Sequence, residues 1–201
     1  MAESNFFYIS NLPALDFVNT EPILRGEKLD LLASYDDLLS WFEAAELPVP
    51  DAARRAWGAE RDAVHRQAIR LRATLRDAAE RLARGKGVGE ETVKIVNRTL
   101  ASRPVFAQLR SEGKRYRTHL EPVTREPLHL LFPVAESAAW LLEHGDRSLV
   151  RKCENPECVL FFYDTTKNRK RRWCSMDACG SRAKALAYYR RRTGGKVRGE
   201  R

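Results

Sequence analysis

The sequence predicts an α+β protein in two unequal parts, a mainly helical amino-terminal domain (residues 1–145) carrying a small β-hairpin and a compact cysteine-rich module (residues 146–201). Three observations predict it. Apolar residues recur near helical spacing through most of the first part. Two alternating segments flank a polar turn at Ser111–Lys114. All four cysteines fall between positions 153 and 179.

Phe6 to Val18 is apolar but interrupted by Pro13, so it reads as an extended stretch entering a helix. Ser34 caps a second helix with Asp36 and Asp37 in its first turn; Leu38, Leu39, Trp41, Phe42 and Ala45 form its buried stripe, and Pro48 and Pro50 end it. One long helix is expected over 52–84, with Val64, Ile69, Leu71, Leu75, Ala78 and Leu82 on one side, closed by Gly85, Gly87 and Gly89. A helix over 90–102 turns Val93, Val96 and Leu100 inward. The hairpin joins 105–109 to 116–120, and a last helix begins at Pro133, a residue suited to the first helical position. Only Gly145–Ser148 separates that helix from the cysteine module, which implies tight coupling between the two parts.

With 43% hydrophobic and 31% charged residues, the chain can bury enough apolar surface to fold. No apolar run approaches the roughly 20 residues needed to cross a bilayer, and the acidic start MAES lacks a basic n-region, so a cytoplasmic protein is expected. The net charge of +9 is uneven. Residues 151–201 hold 15 Lys or Arg against 5 Asp or Glu, while the remainder sums to −1.

The spacing Cys153-x4-Cys158-x15-Cys174-x4-Cys179 resembles two short pairs, each able to offer two thiolates from one turn to a tetrahedral ion. A four-cysteine zinc module, treble-clef or ribbon-like, with one structural Zn2+ per chain is the favoured reading; disulfides or an iron–sulfur or redox site are its alternatives. Four thiolates close the coordination sphere, so no catalytic residues are assigned to it. Val159–Asp164 and Arg169–Trp173 are expected to be strands around Thr165–Asn168 that bring the pairs together. A helix capped by Ser175 or Ser181 then runs to Arg192, with Cys179, Ala183, Leu186 and Ala187 inward. The candidate nucleic-acid-binding residues are Lys167, Arg169, Lys170, Arg171 and Arg172 from the insert, and Arg182, Lys184, Tyr188, Arg191 and Arg192 from the helix. A merely solvated basic face is the alternative.

Residues Cys153 to Arg192, above all Trp173-Cys-Ser-Met-x-x-Cys-Gly-Ser-Arg182 followed by Lys184, resemble the CGNR zinc finger family. Leu15-Asp-Phe-Val-Asn-Thr20 resembles the start of the ABATE domain, which precedes that finger in bacterial proteins described as stress-induced transcription regulators. The resemblance implies the same four zinc ligands, matches Gly180 and Arg182 to the signature, and implies DNA-binding regulation. Ser181 stands where the family name expects Asn, removing an amide that could read adenine bidentately.

Residues 1–145 contain no P-loop, no Gly-x-Ser-x-Gly, no dinucleotide fingerprint and no His-x-x-x-His pair, so the protein is not expected to be an enzyme. Asp16, Asn19 and Thr20 form a polar cluster in an apolar opening. They either cap the first helix and its turn or line a small-molecule pocket. The expectation is therefore a double-stranded DNA-binding transcription regulator, with a homodimer and an effector as further partners and no membrane association. Its rivals are an RNA-binding protein, and an enzyme with its site in 1–145 and the finger as a substrate clamp.

Overall fold

The computed structural model describes residues 6–24, 26–123 and 125–192, without the side chains of 121, 122, 190 and 191. Helix α4 (Ala59–Ala83) is the spine, and α1 (Pro13–Val18), α2 (Tyr35–Ala44), α5 (Glu90–Ala101) and β5 (Val150–Lys152) pack on it. The cap expected at Ser34 forms and is one half of a capping box: Ser34 Oγ accepts from Asp37 N at 3.1 Å while Asp37 Oδ2 accepts from Ser34 N at 2.8 Å. Helix α6 (Phe132–Glu143) closes the bundle against α1 and α5.

The helix expected over 52–84 is two helices, α3 (Asp51–Arg55) and α4. The break is local: Ala56 is extended, and Gly58 takes φ +50°, ψ −130°, a conformation that side chains forbid. On α5 the inward residues are Thr92, Ile95, Val96 and Thr99, while Val93 is exposed. Threonine tolerates this burial because Thr99 Oγ1 returns its proton to the Ile95 carbonyl at 3.0 Å. Inside the bundle Arg72 is buried but satisfied, with a two-pronged bond to Asp30 at 2.7 Å on each prong and a third bond to Thr20 Oγ1.

Two ladders stand apart from the bundle. A short one joins β1 (Ile23–Leu24) to β2 (Glu27–Lys28), which the apolar pattern does not announce. The longer hairpin joins β3 (Val105–Glu112) to β4 (Arg115–Pro122) through a two-residue turn at Gly113, whose φ of +67° explains the glycine.

Strand β6 (Phe161–Tyr163) pairs antiparallel with β5 and forms the seam of the molecule. Its neighbours in sequence alternate between two cores, as strand geometry requires. Phe161 and Tyr163 join the helical core; Leu160 and Phe162 join a second core built from the four cysteines with Phe7, Ile9, Val159 and Trp173. The amino-terminal stretch lies along this strand, where Tyr163 N donates to Ser10 O at 2.8 Å and Asn11 Nδ2 donates to Tyr163 O at 3.1 Å. Tyr163 reaches back to the linker, its hydroxyl accepting from Asp146 N at 3.0 Å.

The expected pairing of Val159–Asp164 with Arg169–Trp173 is corrected: β6 takes β5 as its partner, and 169–173 is not a strand. Asp164 is the cause. Fully buried, it accepts from Thr166 N at 3.0 Å and Arg171 N at 2.9 Å, curling the insert into a loop in which Arg169 adopts φ +49°.

Candidate metal centre and nucleic-acid interface

The first cysteine pair sits where the β5–β6 ladder turns. Cys153 N donates to Leu160 O at 2.9 Å, extending the ladder by one rung, and Cys158 N donates to Asn155 O, closing a tight turn. The second pair spans the start of a helix. Ser175 Oγ accepts from Ala178 N, a single π-type turn (Met176–Gly180) follows, and α7 (Ser181–Arg192) continues from it. One pair on a hairpin turn and the other on a helix start is a treble-clef arrangement.

All four sulfurs lie within 4.8 Å of one another and all four residues are buried. The Cys158–Cys174 and Cys174–Cys179 sulfur separations are 3.7 Å and 3.6 Å. A disulfide would bring two sulfurs to about 2 Å. A tetrahedron with Zn–S bonds of about 2.3 Å sets sulfurs about 3.8 Å apart, so the cage fits the ion. Bonds from Cys158 and Cys174 pull the Cys153 thiol down, whereas donating to that thiolate pushes Cys158 and Cys174 up. Four thiolates this close would repel one another, and a bound dication offsets that repulsion and replaces the protons of Cys158 and Cys174. Cys174 N and Asn155 Nδ2 donate to the sulfurs of Cys153 and Cys179 at 3.4 and 3.3 Å, orienting them from outside the cage.

Gly180 lies against the side chains of Met176 and Trp173. A Cβ there would run into the Met176 thioether and come within 3.2 Å of Trp173 Cδ1. Ser181, in place of the family's Asn, donates its hydroxyl to Met176 O at 3.1 Å, within the turn.

The cationic residues differ in what they are already bonded to. Arg171 is a structural clamp: its guanidinium donates to Trp173 O at 3.0 Å, Ile9 O at 2.9 Å and Cys174 O, and lies 4.2 Å from the Phe162 ring centroid. Arg169 is paired with Asp146 at 3.1 Å and Arg172 with Glu154 at 2.6 Å, both at the surface where such pairs are worth little and exchange readily. Lys167, Lys170, Arg182 and Lys184 are exposed and carry no ion pair among the described residues. Arg192 Nη1 donates to Tyr188 Oη at 3.1 Å. The Arg191 side chain and everything from Thr193 onward lie outside the described residues.

Helix α7 departs from expectation. Ala183 is half-buried, but Leu186 and Ala187 are exposed, because the cysteine core is too small to cover more than the first turn. The helix packs chiefly on the turn before it and stands clear of the body with Leu186, Tyr188 and Tyr189 all more than half exposed.

Residues 11–145 match the ABATE family model, described as "Putative stress-induced transcription regulator", and residues 150–192 match that of the CGNR zinc finger. The chain belongs to the ABATE family. Its CGNR finger holds one structural zinc ion through Cys153, Cys158, Cys174 and Cys179. A search of curated proteins finds no match. No helix among the described residues is long and apolar enough to cross a membrane.

The three clustered polar residues of the ABATE portion, Asp16, Asn19 and Thr20, face different partners. Asn19 faces the seam: its amide donates to Phe161 O and accepts from Phe161 N, both at 2.9 Å. Thr20 donates to Phe17 O at 2.7 Å and receives Arg72. Asp16 Oδ1 accepts from Ile9 N and Ser10 N at 2.9 Å each and so holds the amino-terminal stretch against the finger; it also borders a surface cleft of about 220 Å³ with Tyr8, Trp41 and Glu46. No periodicity signals these long-range roles, although an Asp on an otherwise buried helix and an Asn just after it are themselves the clue.

Burial pushes the Asp16 carboxyl up to about 6, against the opposing bonds from Ser10 and Ile9 and the charge of Arg171. An acid whose folded pKa is raised binds more protons folded than unfolded between pH 4 and 6, so its stabilising contribution fades as pH rises through that window. Asp16→Asn keeps an acceptor for both N–H groups and removes the buried charge. The variant is expected to gain up to about 2 kcal/mol over the parent between pH 4.5 and 7.5. Denaturation midpoints of both proteins across that range check this; a pH-independent difference contradicts it.

Proposed function

We propose that the chain is a DNA-binding transcription regulator in which α7 and the adjoining 165–172 loop contact duplex DNA. The observation that carries the reading is the exposure of α7. A helix packed along one side lies on a surface, whereas Lys184, Leu186, Ala187, Tyr188 and Arg192 of this one are all exposed, and a helix about 10–12 Å across suits a major groove about 12 Å wide. Lys184, Tyr188 and Arg192 share one side by i, i+4 spacing, with Arg191 expected beside them. Lys167, Lys170 and Arg182 add cations that no carboxylate neutralises among the described residues. Arg169 and Arg172 can exchange their surface carboxylates for phosphates. Ser181, committed to its own turn, is not assigned to base reading.

One finger covers few phosphates, and the ABATE hairpin offers a means of dimerisation. Val105, Ala107, Leu109, Ser111, Tyr116, Thr118 and Leu120 share one uncharged hairpin face by register, and Val105, Leu109, Tyr116 and Leu120 are each more than half exposed. A second copy of the same face can cover it without burying charge. A reducing, cytoplasmic setting suits four thiolates kept for metal.

The test is fluorescence anisotropy with a labelled duplex and a single-stranded RNA of equal length, across salt concentrations. Lys167→Ala and Lys184→Ala are each expected to reduce the log–log salt slope by about 0.9 per bound chain, with two chains per saturated duplex. Arg171→Ala should leave the slope alone and lower the melting temperature instead. Unchanged slopes for both lysine variants would remove α7 and the loop from the footprint. Tighter binding of the single strand would favour the RNA reading, in which Tyr188 and Tyr189 stack on unpaired bases. The enzyme reading has less support: both ring nitrogens of His129, in the cleft with Asp51 and Arg103, are engaged by Ser102 O and Glu126 N.

A further inference from the structure

We infer that the ABATE portion has a binding site for a small organic carboxylate, with Arg103 as its anion-binding group. A cleft of about 310 Å³ lies between the α2–α3 connection and the start of α6, lined by Pro48, Val49, Pro50, Asp51, Arg103, His129 and Pro133. That volume lies at the small end of ligand pockets. Arg103 is half-buried with its guanidinium carbon 4.5 Å from the Phe132 ring centroid, a contact that orients it.

Among the described residues Arg103 makes no ion pair and no side-chain hydrogen bond, and its Nε is buried without a partner. Arg61 and Arg151 also have a buried, unpartnered Nε, but each is ion-paired, to Asp36 and Asp164. Arg103 differs from both. A guanidinium whose Nε is withdrawn from water without a partner, and whose side chain lines a cleft, favours an anion beside it, and a carboxylate matches its planar fork.

The walls narrow the ligand class. Three prolines and a valine offer apolar contact, which suits a carboxylate carried on a hydrocarbon or aryl body. Asp51 on the rim disfavours a dianion such as phosphate. His129, with both ring nitrogens bonded to backbone, forms a fixed wall and leaves Arg103 as the group that recognises charge.

The inference rests on a regulator that takes an effector, and its test needs no DNA, so the DNA-binding reading and this one can each fail alone. Benzoate is titrated into the zinc-loaded chain by calorimetry, with benzamide and inorganic phosphate as controls. Saturable benzoate binding with a Kd near or below about 1 mM is expected, weakened roughly tenfold or more by Arg103→Gln, with neither control binding comparably. Arg103→Lys, which keeps the charge but not the fork, should bind with intermediate affinity; it also serves as the test if the glutamine variant does not fold. Benzoate binding equally well to the parent and the variants, phosphate binding as well as benzoate, or no saturation by about 20 mM would overturn the site.

Discussion

Cys174→Ser is expected to release the zinc ion and disorder the finger from the second cysteine pair onward. Cys174 is the sulfur that lies 3.7 and 3.6 Å from two others, and its own N–H supports Cys153, so its loss removes a ligand and an orienting bond together. The cysteine core is small, containing besides its four sulfurs only Leu160, Phe162 and partly buried neighbours. Metal binding therefore provides much of the free energy that orders it. The damage should stop at the seam, because Val150, Phe161 and Tyr163 belong to the helical core and remain anchored there without the ion. The expected results are loss of bound zinc, a modest loss of helical signal, and a melting temperature lower by about 10 °C, with chelation of the parent protein giving the same end state. A variant that keeps a full zinc ion and melts with the parent contradicts the cage.

The contrast between the cage and the seam explains what was legible in the sequence. Metal ligands announce themselves because coordination demands particular side chains at short spacing, and Cys153, Cys158, Cys174 and Cys179 meet where their spacing said they would. Periodic helices were legible for the same reason, and the capping box at Ser34 was half legible, in its cap and acidic first turn. Less legible is whatever one side chain does across the chain. Asp164 turns an expected strand into a loop by accepting from Arg171 N, and Arg171, expected in the phosphate footprint, donates to Ile9, Trp173 and Cys174. Charge density shows that a region is basic, but it cannot show which arginine is internally committed. Burial on α7 failed for a different reason: the helical period identifies one face of a helix, but a neighbour must exist to cover it, and here it ends after Ala183.

Asn19 provides the sharpest test of the seam. It follows α1 in the bundle, yet its side-chain amide bonds both the N–H and the C=O of Phe161, acting as one rung of strand pairing between a helix end and β6. Asn19→Ala leaves two buried backbone groups without partners, each costing about 1–3 kcal/mol. A destabilisation of about 3–5 kcal/mol is expected, lowering the melting temperature by about 10 °C or more. Asn19→Asp should do no better, since it can still accept from Phe161 N but sets a second oxygen and a charge against Phe161 O. Asp16→Asn is the opposite case: there the carboxylate accepts two N–H groups and donates nothing, so the amide replaces it without loss. Because β6 also carries Leu160 and Phe162 into the cysteine core, the Asn19 variants should release zinc to a competing chelator faster than the parent at temperatures where both are folded. If the helical bundle and the finger were independent bodies joined at Gly145–Ser148, zinc release would be unaffected by any change at position 19, and that outcome would dissolve the seam into a mere contact.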